Sequence, residues 1–199
     1  MPPVYFTLYY NIIVVSVILW LLPPIRNYKT NFFIYFLVYA ISDPIAIILS
    51  KFHLWGSITT FSILSYFILL SLKKFTSNSK LYDVILVFTF CLTLFIVFFE
   101  KGYSYAVFIL MHFFIFFTIL RKTILNIAQT FTINIFYFVI LFYEATTIIK
   151  FLISLLDTQH GKIQLLVVGT FQILFAVFFT IFNENSRKMK VKLKVEAKS

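Results

Sequence analysis

Seven long apolar runs fill most of this 199-residue chain and limit what it can fold into. A helix needs about 20 mostly apolar residues to cross the roughly 30 Å hydrocarbon core of a bilayer. The runs are continuous, whereas a membrane barrel alternates apolar and polar residues in short segments. The sequence therefore predicts an all-α, polytopic membrane bundle of about seven transmembrane helices. They are expected at approximately 4–22, 32–50, 56–72, 81–99, 104–120, 131–155 and 164–183.

Charged residues are too scarce to cover a water-facing surface. The chain is 61% hydrophobic and 12% charged, whereas soluble domains are about half apolar and a quarter charged. The connections between the runs are too short to hold a domain. We therefore expect a seven-helix transmembrane domain over 1–183 and a basic cytoplasmic tail over 184–199. The net charge of +10 does not indicate a nucleic-acid partner, because the basic residues lie between apolar runs, as topology signals do.

Lys and Arg side chains divide unequally between the two sides of the predicted bundle. Thirteen fall on the side that carries the C-terminus, and only Lys51, Lys101 and Lys162 fall on the other. Lys150 lies within a run, near its outer end, and is expected to extend to the membrane surface. Because cytoplasmic connections carry the excess of basic residues, we predict an outer N-terminus and a cytoplasmic C-terminus. The predicted location is multi-pass in the cytoplasmic (plasma) membrane.

Strongly polar side chains lie near the middle of five of the predicted helices. They are Asn11, Asp43, His112, Glu144 and Gln172, one to a helix and all at a similar depth. An ionisable group at that depth costs about 2.5–3.5 kcal/mol on insertion scales, so it needs a partner, water or a ligand. The sequence predicts that these side chains form an intramembrane polar centre.

Helical periodicity adds tyrosines to this centre. Tyr35, Tyr39 and Asp43 share one side of their helix, and Tyr137 lies on the same side as Glu144. For the ionisable groups we favour a proton-responsive or ligand-binding role. The alternative is that they only hydrogen-bond the helices together, as polar residues do in membranes, and for the two neutral amides this alternative is favoured.

Pro44 follows directly after Asp43 and predicts a hinge in the second helix. Proline lacks the N–H that would bond to the carbonyl four residues earlier, so a helix commonly bends there. A carboxyl group beside such a bend can lie at a gate or a binding cavity. The alternative is a bend with no functional role.

The tail reads RKMKVKLKV and alternates basic with apolar residues, which is the period of a strand. The basic side chains can contact anionic lipids of the inner leaflet. The segment can also add as a strand to a membrane or cytoplasmic protein partner. A disordered, solubilising tail is the third interpretation. The residues concerned are Arg187, Lys188, Lys190, Lys192 and Lys194.

Seven helices with an outer N-terminus resemble microbial rhodopsins, SWEET-type sugar transporters and the seven-helix hydrolases that include alkaline ceramidases. The chain lacks the motif of each. The last helix has no lysine for retinal, Pro44 is the only proline in mid-membrane, and His112 is the only histidine at depth. We identify no family from the sequence.

Three functions fit these observations. The first is a non-enzymatic sensor or accessory subunit of a membrane complex, because no connection is long enough for a soluble active site. The second is a small proton-coupled or small-solute transporter, because transport sites lie at the membrane midplane. The third is an intramembrane lipid-modifying enzyme, with Asp43, His112 and Glu144 as acid, base or ligands. We assign no catalytic residue and no metal site, and the sequence leaves the cofactor unknown.

Overall fold

The computed structural model describes residues 3–52, 57–76, 80–98, 103–156 and 161–193, with side chains for all of these except 3–10 and 161–166. Single turns of 3-10 helix occupy Lys73–Phe75 and Arg187–Met189. The other elements, in chain order, are α1 (Pro3–Trp20), α2 (Leu22–Arg26), α3 (Phe33–Lys51), α4 (Ser57–Leu72), α5 (Lys80–Phe98), α6 (Ser104–Thr130), β1 (Thr132–Asn134), α7 (Ile135–Leu156), α8 (Gly161–Ile181) and β2 (Lys190–Lys192).

The predicted all-helical architecture is confirmed for the described residues, apart from the two three-residue strands. Among the described residues, five helices are long and apolar enough to cross a membrane, namely α3, α4 with the turn that follows it, α5, α6 and α7. Two shorter apolar helical stretches, Asn11–Arg26 and Val167–Ile181, are also present. Large apolar side chains such as Val84 and Val87 are exposed on the outside of the bundle, as lipid-facing side chains are.

Six helices form a ring around a packed centre. The order around the ring is α1, α3, α4, α6, α7 and α8, and α8 closes it by packing on α1. Helix α5 lies outside the ring and packs mainly on α4. Gly169 allows the close approach of α8 to α1, because a Cβ atom at this position would lie only 3.1 Å from Cγ2 of Ile12. Small residues commonly serve this purpose between membrane helices.

Helix α6 continues ten residues beyond its predicted end at residue 120. The sequence predicts a connection over 121–130, yet this segment contains neither glycine nor proline, and the buried Thr123 donates its hydroxyl hydrogen to the Ile119 carbonyl. The helix ends at Phe131, whose φ of 49° is left-handed, a common conformation just beyond a helix end. Helix α7 therefore begins at Ile135 instead of residue 131.

The first predicted helix is interrupted close to the two prolines and continues as a second, short helix. Helix α1 ends at Trp20, and α2 then places Pro23 and Pro24 in its first turn, where a missing N–H leaves no bond unmade. The side-chain amide of Asn27 donates to the Pro23 carbonyl at 2.9 Å and to the Phe179 carbonyl at 3.2 Å. This joins the turn after α2 to the last residues of α8.

The tail folds back onto the same end of the bundle. Strand β2 pairs antiparallel with β1, so that Ile133 faces Val191, and the Leu193 N–H donates to the Phe131 carbonyl at 2.8 Å. The strand period of the alternation matches β2 at Lys190–Lys192, which pairs with β1 of this chain. Contact of the tail with another protein stays a prediction. We use "basic end" for the end formed by residues 21–32, 73–76, 131–134 and 182–193.

Candidate functional site

The centre of the ring holds a buried histidine–glutamate pair that joins α6 and α7. His112 Nδ1 lies 2.7 Å from Glu144 Oε2, and the two side chains are 1% and 0% exposed. Both residues lie well inside their helices, so water at the ends of the bundle cannot solvate them. Removing a carboxylate from water is costly unless a partner and further hydrogen bonds compensate. The structure supplies both.

Two tyrosines of α3 reach across the ring and complete the shell of the carboxylate. Tyr35 and Tyr39 are four residues apart and therefore lie on one side of the helix. Both hydroxyls donate to Glu144 Oε1, that of Tyr39 at 2.9 Å. The Tyr39 hydroxyl also lies 3.4 Å from His112 Nδ1. Each oxygen of Glu144 thus has a partner, and α3, α6 and α7 are joined at one point.

Ser65 of α4 fixes the second nitrogen of the histidine. Its Oγ lies 3.0 Å from His112 Nε2 and donates its own hydrogen to the Phe61 carbonyl at 2.8 Å. While the Ser65 hydroxyl donates to Phe61, its oxygen can accept a hydrogen from Nε2, because a hydroxyl has one hydrogen to donate. The 2.7 Å contact between Nδ1 and Oε2 is a hydrogen bond, so one proton lies between these two atoms. His112 and Glu144 thus form a buried hydrogen-bonded pair.

A cavity of about 70 Å³ adjoins this pair and is lined by side chains from all six helices of the ring. A cavity needs on the order of 10–15 Å³ to hold one water molecule, so there is room for several waters or a small solute. Its polar lining includes His112, Tyr39, Ser42, Asp43, Lys150 and Gln172. Most of these lie farther from the basic end than Glu144 does.

Lys150 and Gln172 form one wall of the cavity. The Lys150 ammonium donates to Gln172 Oε1 at 3.4 Å and lies 5.6 Å from the centre of the Phe151 ring. The predicted extension of Lys150 to the membrane surface is therefore wrong. Its side chain turns inward because Gln172 and the aromatic ring offer it partners there.

Asp43 shares the cavity but not the central hydrogen bonds. It lies one helical turn beyond Tyr39 and interacts electrostatically with Lys150. Asp43 makes no hydrogen bond or ion pair with His112 or Glu144. The structure thus joins two of the three predicted ionisable groups directly and places the third across a cavity from them. Pro44 lies inside the continuous helix α3.

Aromatic side chains, of which Phe32 also borders the basic end, fill the ring between the central pair and the rest of that end. Phe32, Phe36, Phe136 and Phe179 are fully buried. Their rings pack against one another, with centroids 4.8 Å apart for Phe36 and Phe179 and 5.8 Å apart for Phe32 and Phe136. We name these four residues the aromatic layer. The cavity lies on one side of this layer and the basic end on the other.

Two other residues predicted for the polar centre lie elsewhere. Asn11 is exposed on the outside of α1 and does not line the cavity. Tyr137 lies seven residues before Glu144, which is about 10 Å along the helix, and its hydroxyl is 3.5 Å from Glu184 Oε2 at the basic end. Asn11 lies on an outward-facing side of its helix. Tyr137 is buried and lies on the same side as Glu144, but two turns closer to the basic end.

Glu184 forms a second buried polar group, which the sequence analysis missed. Its Oε1 accepts from the backbone N–H of Asn31 at 2.9 Å and from the side-chain amide of Asn31 at 3.0 Å. Its carbonyl accepts from the Asn134 amide at 3.1 Å. The sequence did contain one indication of this role, because Glu184 is an acidic residue at the start of a strongly basic tail. These bonds hold the tail against α3 and α7.

The basic side chains of the tail point into solvent. Arg187, Lys188, Lys190 and Lys192 are all exposed, and Lys194 lies outside the described residues. Their predicted contact with lipid or protein thus involves side chains that no other part of the described chain covers. Met189, in contrast, packs against the core.

No group of three or more His, Cys, Asp or Glu side chains that could hold a metal ion occurs in the described parts of the chain. No protein-family model matches this sequence, and neither the curated proteins nor the solved structures include a significant match to it.

Proposed function

We propose that this chain is a plasma-membrane protein of seven transmembrane helices, with its N-terminus outside and its basic end in the cytoplasm. The alternation of basic and non-basic connections supports this orientation. So does the grouping of residues 21–32, 73–76, 131–134 and 182–193 at one end. The cavity then lies in the outer half of the bundle, and the aromatic layer separates it from the cytoplasm.

We further propose that the protein is a non-enzymatic sensor or accessory subunit whose cavity binds a small polar solute from the outer side. The observation that carries this proposal is the cavity itself. Six helices contribute to its lining, and Asp43, His112, Lys150 and Gln172 meet there at membrane depth. Polar groups placed in hydrocarbon are costly, and a bound solute would compensate for that cost. The aromatic layer is tightly packed, which favours a protein that binds the solute over one that transports it across the membrane.

A thermal-shift screen of small polar solutes on the purified protein tests this proposal. Ser16 is buried and lines the cavity, so Ser16→Leu fills the space without changing any charge. The matched control is Ile18→Phe, which lies on the same helix but is 59% exposed. We expect at least one solute to raise the Tm of the wild type and of Ile18→Phe but not of Ser16→Leu. A solute response that survives Ser16→Leu, or no response at all, would refute the proposal.

A proton-coupled carrier is the second candidate, and the proton between His112 and Glu144 favours it. This proton lies next to the cavity, so a bound solute could change the pair's ability to hold it. In proteoliposomes, a carrier takes up solute when a pH gradient is imposed, and Glu144→Gln removes that dependence. Solute binding without any gradient-driven uptake would exclude the carrier and leave the sensor.

We also propose that the tail contacts anionic lipids of the inner leaflet. Arg187, Lys188, Lys190 and Lys192 are exposed, and each basic residue near such a surface contributes about 1 kcal/mol. In nanodiscs, anionic lipid should raise the Tm of the wild type more than that of Lys190→Gln/Lys192→Gln. The difference should disappear at high salt. Equal responses of both proteins would exclude the contact.

A further inference from the structure

The walls of the cavity carry one positive and one negative group that do not pair with each other. Both Asp43 and Lys150 line the cavity and interact electrostatically across it, yet they form no ion pair. Tyr39 of α3 and Glu144 of α7 are hydrogen-bonded to each other, so they mark a common level in the bundle. Asp43 lies four residues beyond Tyr39, and Lys150 lies six residues beyond Glu144. At 1.5 Å per residue the two charged residues therefore differ by only about 3 Å along the helices.

Each of these groups has hydrogen-bonding capacity left over. An ammonium has three N–H donors, and Lys150 uses one of them, in a long bond of 3.4 Å to Gln172. The Asp43 carboxylate has two oxygens, and the structure gives them no hydrogen bond from the described residues. The cavity thus offers a cationic donor on one wall and an anionic acceptor on the opposite wall.

We propose that the ligand is a small zwitterion, with its carboxylate on Lys150 and its ammonium on Asp43. This proposal rests on the proposed function, because it names the class of solute that the cavity binds. A zwitterion compensates both walls at once and leaves the net charge of the site unchanged. A singly charged solute contacts one wall and leaves the hydrogen-bonding capacity of the other wall unused. The cavity volume of about 70 Å³ leaves room for a small ligand.

Binding of ω-amino acids of increasing length to the full-length protein tests this inference. The probes are glycine, β-alanine and 4-aminobutyrate, which separate the two charges by one, two and three carbons. Acetate and methylammonium are the controls, since each carries one of the two charges. We expect one of the zwitterions to raise the Tm in a saturable manner, and we expect acetate and methylammonium, alone or together, to bind at least tenfold more weakly.

Two variants assign the two contacts. Asp43→Asn and Lys150→Met each remove one charge, and each should weaken binding of the best zwitterion at least tenfold. Ser16→Leu should abolish it. If either variant fails to fold, the comparison of zwitterions with singly charged solutes on the wild type still tests whether the ligand is a zwitterion.

The outcomes separate this inference from the proposed function. If neutral or singly charged solutes bind in a way that Ser16→Leu prevents, while the zwitterions do not, the zwitterion inference is overturned and the proposed function stands. If acetate or methylammonium binds as tightly as the zwitterion, the inference is likewise overturned. If no solute of any class binds, both are overturned.

Discussion

Replacing Glu144 with alanine removes the acceptor on which three buried donors depend. Tyr35, Tyr39 and His112 all direct a hydrogen to this carboxylate. A buried donor without an acceptor costs about 1–3 kcal/mol. Cavity water and the 3.4 Å contact between Tyr39 and His112 can restore part of the loss. We therefore expect a destabilisation of about 3–5 kcal/mol, as found when one partner of a buried ion pair is removed.

Thermal unfolding of the purified protein, followed by intrinsic fluorescence, measures this loss. For a chain of this length we expect a decrease in Tm of at least about 6 °C. Glu144→Gln should cost only about 1 kcal/mol. Its amide oxygen still accepts from the tyrosines, and its NH2 group can donate to a neutral His112. Thr123→Val is the second control, because the buried Thr123 hydroxyl donates to the Ile119 carbonyl of its own helix. A Glu144→Ala protein as stable as either control would refute the hydrogen-bond argument.

Three further predictions concern the packing of the bundle and the tail. Glu184→Ala should release the tail and accelerate tryptic cleavage within it at least tenfold. Asn185→Ala, at an exposed neighbouring position, should leave the cleavage rate unchanged. Equal cleavage rates for the two variants would contradict the assigned contacts. Gly169→Val should lower the Tm by several degrees because its side chain would clash with Ile12, and an unchanged Tm would show that α1 and α8 are not so close. Phe131→Gly should raise the stability by about 1 kcal/mol, measured as Tm, because glycine adopts a positive φ without strain; a lower Tm would indicate that the exposed phenyl ring stabilises the turn.

Hydrophobic length predicted the helices well, because a run of apolar residues long enough for a bilayer has few alternatives to a helix. The prediction failed at 121–130, where Arg121 and Lys122 suggest a connection although the residues continue helix α6. Polar residues do not stop a helix that extends beyond the apolar zone, and Lys122 lies 5.9 Å from the centre of the Phe75 ring. A helix end is set by backbone conformation, here the left-handed Phe131, and residue type rarely reveals this when glycine is absent.

The polar centre was predictable where periodicity and depth acted together. Tyr39 and Glu144 lie at the right depth and on inward-facing sides of their helices. Ser65 was not predicted, because α4 carries many hydroxyl residues and most of them bond to their own helix. Lys150 and Asn11 were misplaced because the sequence gives the depth of a side chain but not which neighbouring helix it faces.

Accessibility of a cysteine placed in the cavity tests most directly whether a polar site opens to the outer side. In a Cys91→Ser background, Gln172→Cys puts a thiol on the cavity wall, and Asn185→Cys puts one at the basic end. A membrane-impermeant maleimide is added to intact cells, with or without permeabilisation. We predict that the Gln172→Cys thiol is labelled in intact cells and the Asn185→Cys thiol only after permeabilisation. Labelling of Gln172→Cys only after permeabilisation, or not at all, would contradict the account.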